Sequence, residues 1–292
     1  MYKKSNNSNY YLHNFSSIDD SKDSVLMVPG AGMDHRIVRD IKLDAEKFNK
    51  TLAIDLPHHG YSTGPKLSSI EDYAAGIEDV LADMDLSKFH LCGHSMGGLV
   101  ALRLAFNQKL QFKSVNILNA SCPMFVGGAL LDDSRKNLDS AMDMLTTYGV
   151  NQPPKAKASG PMFGTMGSGF YQKKSDLINT PYGSKKIVDK LDDEVDLYAL
   201  KKLFNQITKD ILNNDLNACK NFVIPDSEIN EYKDTINFIL GEKDNLTPVK
   251  YAQKFCENLK SSQIVIIEEL GHFTFYEDPT KLSSELGKLL SS

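Results

Sequence analysis

The chain has 292 residues, 41% of them hydrophobic and 24% charged, with a formal net charge of −5. That length suits one large α/β domain or two small ones, with a core that needs no disulfide staples. Acidic and basic residues are interspersed, so no basic stripe marks a nucleic-acid partner and no polybasic patch marks an anionic membrane.

No apolar stretch approaches the ~20 residues of a membrane span. The N-terminal MYKKSNNSNYYLHNF carries two lysines but no apolar run after them, so no signal peptide is expected. Cys92, Cys122, Cys219 and Cys256 are far apart and form no C-x-x-C pair, which argues against a zinc knuckle. Thiols spaced this way fit a reducing compartment, and the expected location is cytoplasmic.

In chain order, SVLMVPG (24–30) reads as a buried strand entering a glycine turn, and TLAIDLP (51–57) as a second strand. IEDYAAGIEDVLADMD (70–85) repeats apolar residues at three- and four-residue spacing, which predicts a helix. FHLCG (89–93) is a strand, MGGLVALRLAFN a helix and SVNILNA (114–120) a strand. The alternation predicts a mostly parallel central sheet with helices on both faces. It then stops. NQPPKAKASGPMFGTMGSGFYQKK (151–174) is punctuated by proline, glycine and serine, and helical patterning resumes over 194–215. Sheet patterning returns with TINFILG (235–241), a helix near 249–259, QIVIIEE (263–269) and a last helix in DPTKLSSELGKLL. The expected division is a core of residues 1–121 and 229–292, interrupted by a helical cap or lid of residues 122–228.

In an open parallel sheet, reactive groups collect beyond the carboxyl ends of the strands. The first such end carries Gly93-His94-Ser95-Met96-Gly97. A G-x-S-x-G elbow between strand and helix exposes the serine oxygen on a strained turn, and Gly93 and Gly97 let strand and helix approach. The second carries PGAGMDHR, where Gly30 and Gly32 expose backbone N–H groups; those of Ala31 and Met96 would bind a developing oxyanion. His35, beside Asp34, reads as half of a loop-anchoring pair. The third carries GEKDNLTP, where Asp244 is suited to accept a histidine N–H; Glu242, Asp226 and Asp234 are its rivals. The fourth carries ELGHF, with His272 in a loop before the terminal helix. His13, His58, His59 and His90 are less well placed, and His94 is expected to pack beside the elbow.

These stretches together resemble the α/β-hydrolase superfamily. The resemblance rests on PGAGMDH, on DLPHHGYS (similar to the family's D-x-P-G-x-G-x-S loop), on GHSMGG, on GEKDNLTP and on LGHF, and spans all but the insertion. Pro29 stands where the family commonly has histidine, and His58 where it usually has glycine. The resemblance implies a serine hydrolase with the chain order Ser95, Asp244, His272, no metal and no organic cofactor. Its partner would be a small-molecule substrate with a carbonyl group. A serine nucleophile argues against the dehalogenase and epoxide hydrolase branches, which use aspartate there. Met124, Phe125, Met162, Phe163 and Met166 are candidates for an apolar substrate pocket, or for the insertion's own small core. The leading expectation is hydrolysis of a small to medium carboxylic ester. The same residues suit C–C, amide, lactone or thioester hydrolysis, or a ligand-binding receptor on the same fold. Oligomeric state is not legible.

Overall fold

The computed structural model describes residues 1–5, 7–151, 196–204 and 207–291. Eight strands form one sheet: β1 (Tyr2–Ser5), β2 (Ser8–His13), β3 (Ser24–Val28), β4 (Leu52–Ile54), β5 (Phe89–His94), β6 (Ser114–Leu118), β7 (Ile236–Gly241) and β8 (Ser262–Ile267). Their order is β1-β2-β4-β3-β5-β6-β7-β8. From β4 to β8 all neighbours are parallel, while β2 runs antiparallel to both β1 and β4. Every residue of β3, β5 and β7 is buried. Strands covered on both faces read as continuous apolar runs, which is why these were legible as strands.

The N-terminal hairpin was not expected. In β2 the residues alternate between buried and half-buried positions, with Tyr10 and Leu12 facing the core. Serine and asparagine between them hid that period of two.

Helix α1 (Ile70–Leu81) is capped by Ser69, whose side chain accepts the Asp72 N–H. Helix α2 (Met96–Asn107) is buried over all but its last residue, because it lies directly on the sheet. Between β6 and β7 come α3 (Gly128–Lys136), α4 (Leu138–Gly149), α5 (Leu197–Lys201), α6 (Lys209–Asn221) and α7 (Asp226–Glu231), a helical cap insertion. The run read as one helical stretch over 194–215 is divided. A single 3-10 turn, Lys202–Phe204, follows α5, and Thr208 is extended (φ −97°, ψ 161°) before α6 begins. Helix α8 (Val249–Cys256) separates β7 from β8, and α9 (Thr274–Glu277) and α10 (Pro279–Leu290) close the fold. No helix among the described residues is long and apolar enough to cross a membrane.

From β3 the chain crosses to β4 on one side, then returns to β5 on the other. The strand order therefore reverses between β3 and β5, and their carboxyl ends flank the crevice where open α/β sheets bind ligands.

The loop after β4 keeps a left-handed residue where the resembled family has glycine: His58 has φ 64° and an exposed side chain. That conformation costs a residue with a Cβ about 1–2 kcal/mol, partly offset because glycine is freer when unfolded. His58→Gly should therefore raise stability by about 0.5–1 kcal/mol, read as a higher urea midpoint at unchanged slope. A lower midpoint would mean that the imidazole holds the loop.

Candidate active site

β5 ends at His94, Ser95 turns the chain with φ 53° and ψ −118°, and α2 starts at once with Met96. The turn is pinned on both sides. Ser95 N–H donates to Leu118 O at 2.9 Å, and Ser95 O accepts Gly98 N–H at 2.8 Å. A Cβ on Gly93 would sit 2.1 Å from Gly97 O, and one on Gly97 only 2.0 Å from Val28 O. Both glycines are therefore demanded by the close passage of β3, β5 and α2. Of residues 91–100, Ser95 alone is not buried.

The loop after β3 lies against this turn: a Cβ on Gly30 would come within 3.2 Å of Ser95 Cβ. Ala31 follows, half-buried. Met33 N–H donates to Gly30 O at 3.0 Å, closing a four-residue turn in which Gly32 has φ 68°. A positive φ at the third position defines a type II turn and explains that glycine. Met96 opens α2, so its N–H has no acceptor within the helix.

His272 sits in the loop between β8 and α9, and its Nδ1 lies 2.8 Å from Asp244 Oδ2. Both residues are buried. Asp244 is also held by Leu246 N–H and Thr247 N–H on Oδ1, each at 2.8 Å, and by Thr247 Oγ1 (2.7 Å) and Asn119 Nδ2 (3.0 Å) on Oδ2. Burial alone would raise the pKa of this carboxyl, but His272 and the Thr247 hydrogen bonds outweigh it and hold it at about 2. Carboxylate-bound, Nδ1 carries the proton and Nε2 keeps its lone pair.

The backbone of His272 is fixed at both ends. Its N–H donates to Gly149 O at 2.5 Å, and its carbonyl accepts His94 Nε2–H at 2.9 Å. His94 is fully buried, with Nδ1 unpartnered; burial, then the neighbouring His272, lowers its pKa to about 3, so it stays neutral. Its ring centroid lies 4.8 Å from that of His272, which seats the histidine loop on the elbow. Glu277 accepts the N–H groups of Gly271, Phe273 and Asn151.

Asp226, Asp234 and Glu242, the rival acids, are exposed. His35 does not form the expected pair with Asp34. Its Nδ1 lies 2.8 Å from Asp55 Oδ2, while Asp34 accepts the Arg36 guanidinium at 2.7 Å. Asp55, at the end of β4, also accepts His35 N–H, so the histidine is drawn away from its sequence neighbour. Met124 is buried, and Phe125 is 80% exposed. Met162, Phe163 and Met166 lie outside the described residues.

Asn119, Thr247, Glu277, His59 and Asp215 were not singled out as functional. Only Thr247 left a signal, the D-x-x-T spacing of a carboxylate that caps its own turn. Asn119, His59 and Asp215 make their key contacts with residues distant in sequence, and Glu277 bonds both its own loop and Asn151.

The family model for the alpha/beta hydrolase family matches residues 25–285, and the chain belongs to that family: it is a hydrolase. An uncharacterized protein of Mycobacterium tuberculosis is 25% identical, the alignment covering 89% of this chain and 73% of the relative. The pimeloyl-acyl-carrier-protein methyl ester esterase of Nitrosomonas europaea is 25% identical over 79% of this chain and 81% of its own. Among solved structures, the esterase from Exiguobacterium antarcticum superposes with a TM-score of 0.73 at 17% identity, covering 98% of this chain and 96% of that one.

The Asp244 carboxyl carries a pH signature. Its folded pKa lies below the ordinary 3.8, so its contribution is complete above that value and lost as pH falls toward about 2. The shift corresponds to about 2 kcal/mol. Urea unfolding at pH 6 and pH 2.5 should show a difference between the two pH values that is smaller by about that amount in Asp244→Asn than in the wild type. Equal differences would mean that Asp244 titrates alike folded and unfolded.

Proposed function

We propose that this hydrolase cleaves a small to medium carboxylic ester through an acyl-enzyme, with Ser95 as nucleophile, His272 as general base and acid, and Asp244 as the orienting carboxylate. The observation that carries the reading is the buried 2.8 Å hydrogen bond between His272 Nδ1 and Asp244 Oδ2, on a loop that packs against the Ser95 turn. The name of the Nitrosomonas relative, a methyl ester esterase, supports the ester reading.

In this reading His272 Nε2 takes the Ser95 proton as Oγ attacks the carbonyl carbon. Asp244, already ionised, balances the imidazolium without taking its proton. The N–H groups of Ala31 and Met96 receive the oxyanion, each such donor being worth about 2.7–4 kcal/mol. The intermediate collapses, the C–O bond breaks, and His272 gives its proton to the leaving alkoxide. Water, deprotonated by His272, then attacks the acyl-enzyme, releasing the acid and restoring Ser95. No metal or organic cofactor enters these steps. We assign residues 122–228 as the cap and residues 1–121 and 229–292 as the core. Buried Met124 on the cap is the described candidate for a pocket wall. The four unpaired cysteines, all buried, are consistent with a cytoplasmic location.

Hydrolysis of p-nitrophenyl esters from acetyl to decanoyl tests this. Turnover should vanish in Ser95→Ala and fall by about 10⁴-fold in Asp244→Asn, with both variants folded. Substantial turnover in Ser95→Ala would sink the nucleophile assignment, and a loss below tenfold in Asp244→Asn would move the acid elsewhere. The best acyl length sizes the pocket.

A further inference from the structure

One fully buried, hydrogen-bonded carboxylate outside the Ser95–His272–Asp244 set belongs not to the core but to the insertion. Asp215, on α6, has no exposed surface. Its Oδ2 accepts Gly32 N–H at 2.9 Å and faces His59 Nε2 at 2.8 Å, and its Oδ1 accepts the Tyr73 hydroxyl at 2.8 Å. These donors come from the loop after β3, the loop after β4 and α1.

His59 is equally buried, and its Nδ1 lies 2.9 Å from Pro57 O. A carbonyl oxygen only accepts, so Nδ1 carries a proton; Nε2 faces a carboxylate oxygen that already accepts from Gly32. Both ring nitrogens therefore donate, and His59 is an imidazolium. Burial opposes that charge, but Asp215 outweighs it and the histidine pKa is raised. A buried ion pair is a poor device for stability alone, because desolvation cancels much of the attraction.

What this pair does besides is hold one peptide group. The Gly30–Met33 turn is type II, and its central peptide joins Ala31 to Gly32. Here the carboxylate grips its N–H, and the insertion roofs it: a Cβ on Gly32 would lie 2.5 Å from Ile207 Cδ1 and 3.3 Å from Phe204 and Leu212.

We propose that Asp215 is a positioning residue that ties the Ala31–Gly32 peptide to the insertion, and so holds in place the turn whose preceding peptide, Gly30–Ala31, carries the Ala31 N–H beside Ser95. The proposal rests on the reading of Ala31 as an oxyanion donor. His59 pairs with the carboxylate, and Tyr73 completes its shell without touching the loop.

The test measures kcat, KM and the inhibition constant of a trifluoromethyl ketone, whose serine adduct carries the same oxyanion. Asp215→Asn should lower kcat on the order of 10²-fold, with KM changed less than about threefold, and weaken the ketone in parallel. Tyr73→Phe, which leaves the Gly32 and His59 contacts in place, should change kcat less than about threefold. An unchanged kcat in Asp215→Asn overturns the proposal. So does a fall in kcat without loss of ketone affinity, or an equal fall in Tyr73→Phe. If Asp215→Asn does not fold, Asp215→Asn/His59→Gln, which removes both buried charges, is measured in its place. Failure of both to fold makes the pair purely structural and overturns the positioning role. Labelling of wild-type Ser95 by a fluorophosphonate separates the two levels. An unlabelled Ser95 overturns the site reading and this inference with it, whereas a labelled Ser95 with an indifferent Asp215→Asn overturns this inference alone.

Discussion

The structure depends on three backbones passing within contact distance at one point. The end of β3, the end of β5 and the first turn of α2 meet around Gly93 and Gly97, where a methyl group would strike carbonyl oxygens of Gly97 and Val28. That crowding forces Ser95 into a positive φ and sets its side chain at the crevice between β3 and β5. The strain is sustained because α2 is buried along nearly its whole length and cannot relax away from the sheet. The same closeness brings the Gly30–Met33 turn against the serine. One packing constraint thus locates both Ser95, the proposed nucleophile, and the loop assigned to the oxyanion.

The second half of the site is built on hydrogen bonds rather than on packing. Asp244 is taken out of water, yet five donors surround it, from Leu246, Thr247, Asn119 and His272. A buried carboxylate keeps its charge only with such a shell. Asn119 is itself in the left-handed region (φ 49°) at the end of β6, and its Oδ1 accepts from Thr274 beyond the histidine loop. Through Asn119 the acid, the base loop and the central sheet are joined. His94 does the same from the elbow, a neutral imidazole spent on holding a carbonyl.

The central strands and the elbow were legible because both are local patterns. A run such as SVLMV or FHLCG announces a strand buried on both faces, and glycines two residues either side of a serine announce a turn that needs them. Asp244 and His272 were legible because each follows a strand end within a few residues. Asp215 was not, since an aspartate in an amphipathic helix looks solvated until the fold buries it. His35 shows the opposite error: adjacency to Asp34 suggested a pair, and tertiary structure supplied Asp55 instead. The hairpin of β1 and β2 was hidden because polar residues dilute its alternation.

The anchoring of the histidine loop bears on how such enzymes diversify. His272 N–H is bound by Gly149 O, Asn151 N–H by Glu277, and Asp196 O accepts the Tyr276 hydroxyl. The loop that carries His272 is thus tied to the insertion on either side of residues 152–195. An insertion joined in this way is not a removable module. Recombination that exchanged it whole would leave buried donors of the core without acceptors, whereas sequence drift between the anchors leaves them intact. The insertion's sequence can therefore vary between fixed moorings, with the contacts that hold His272 inherited unaltered.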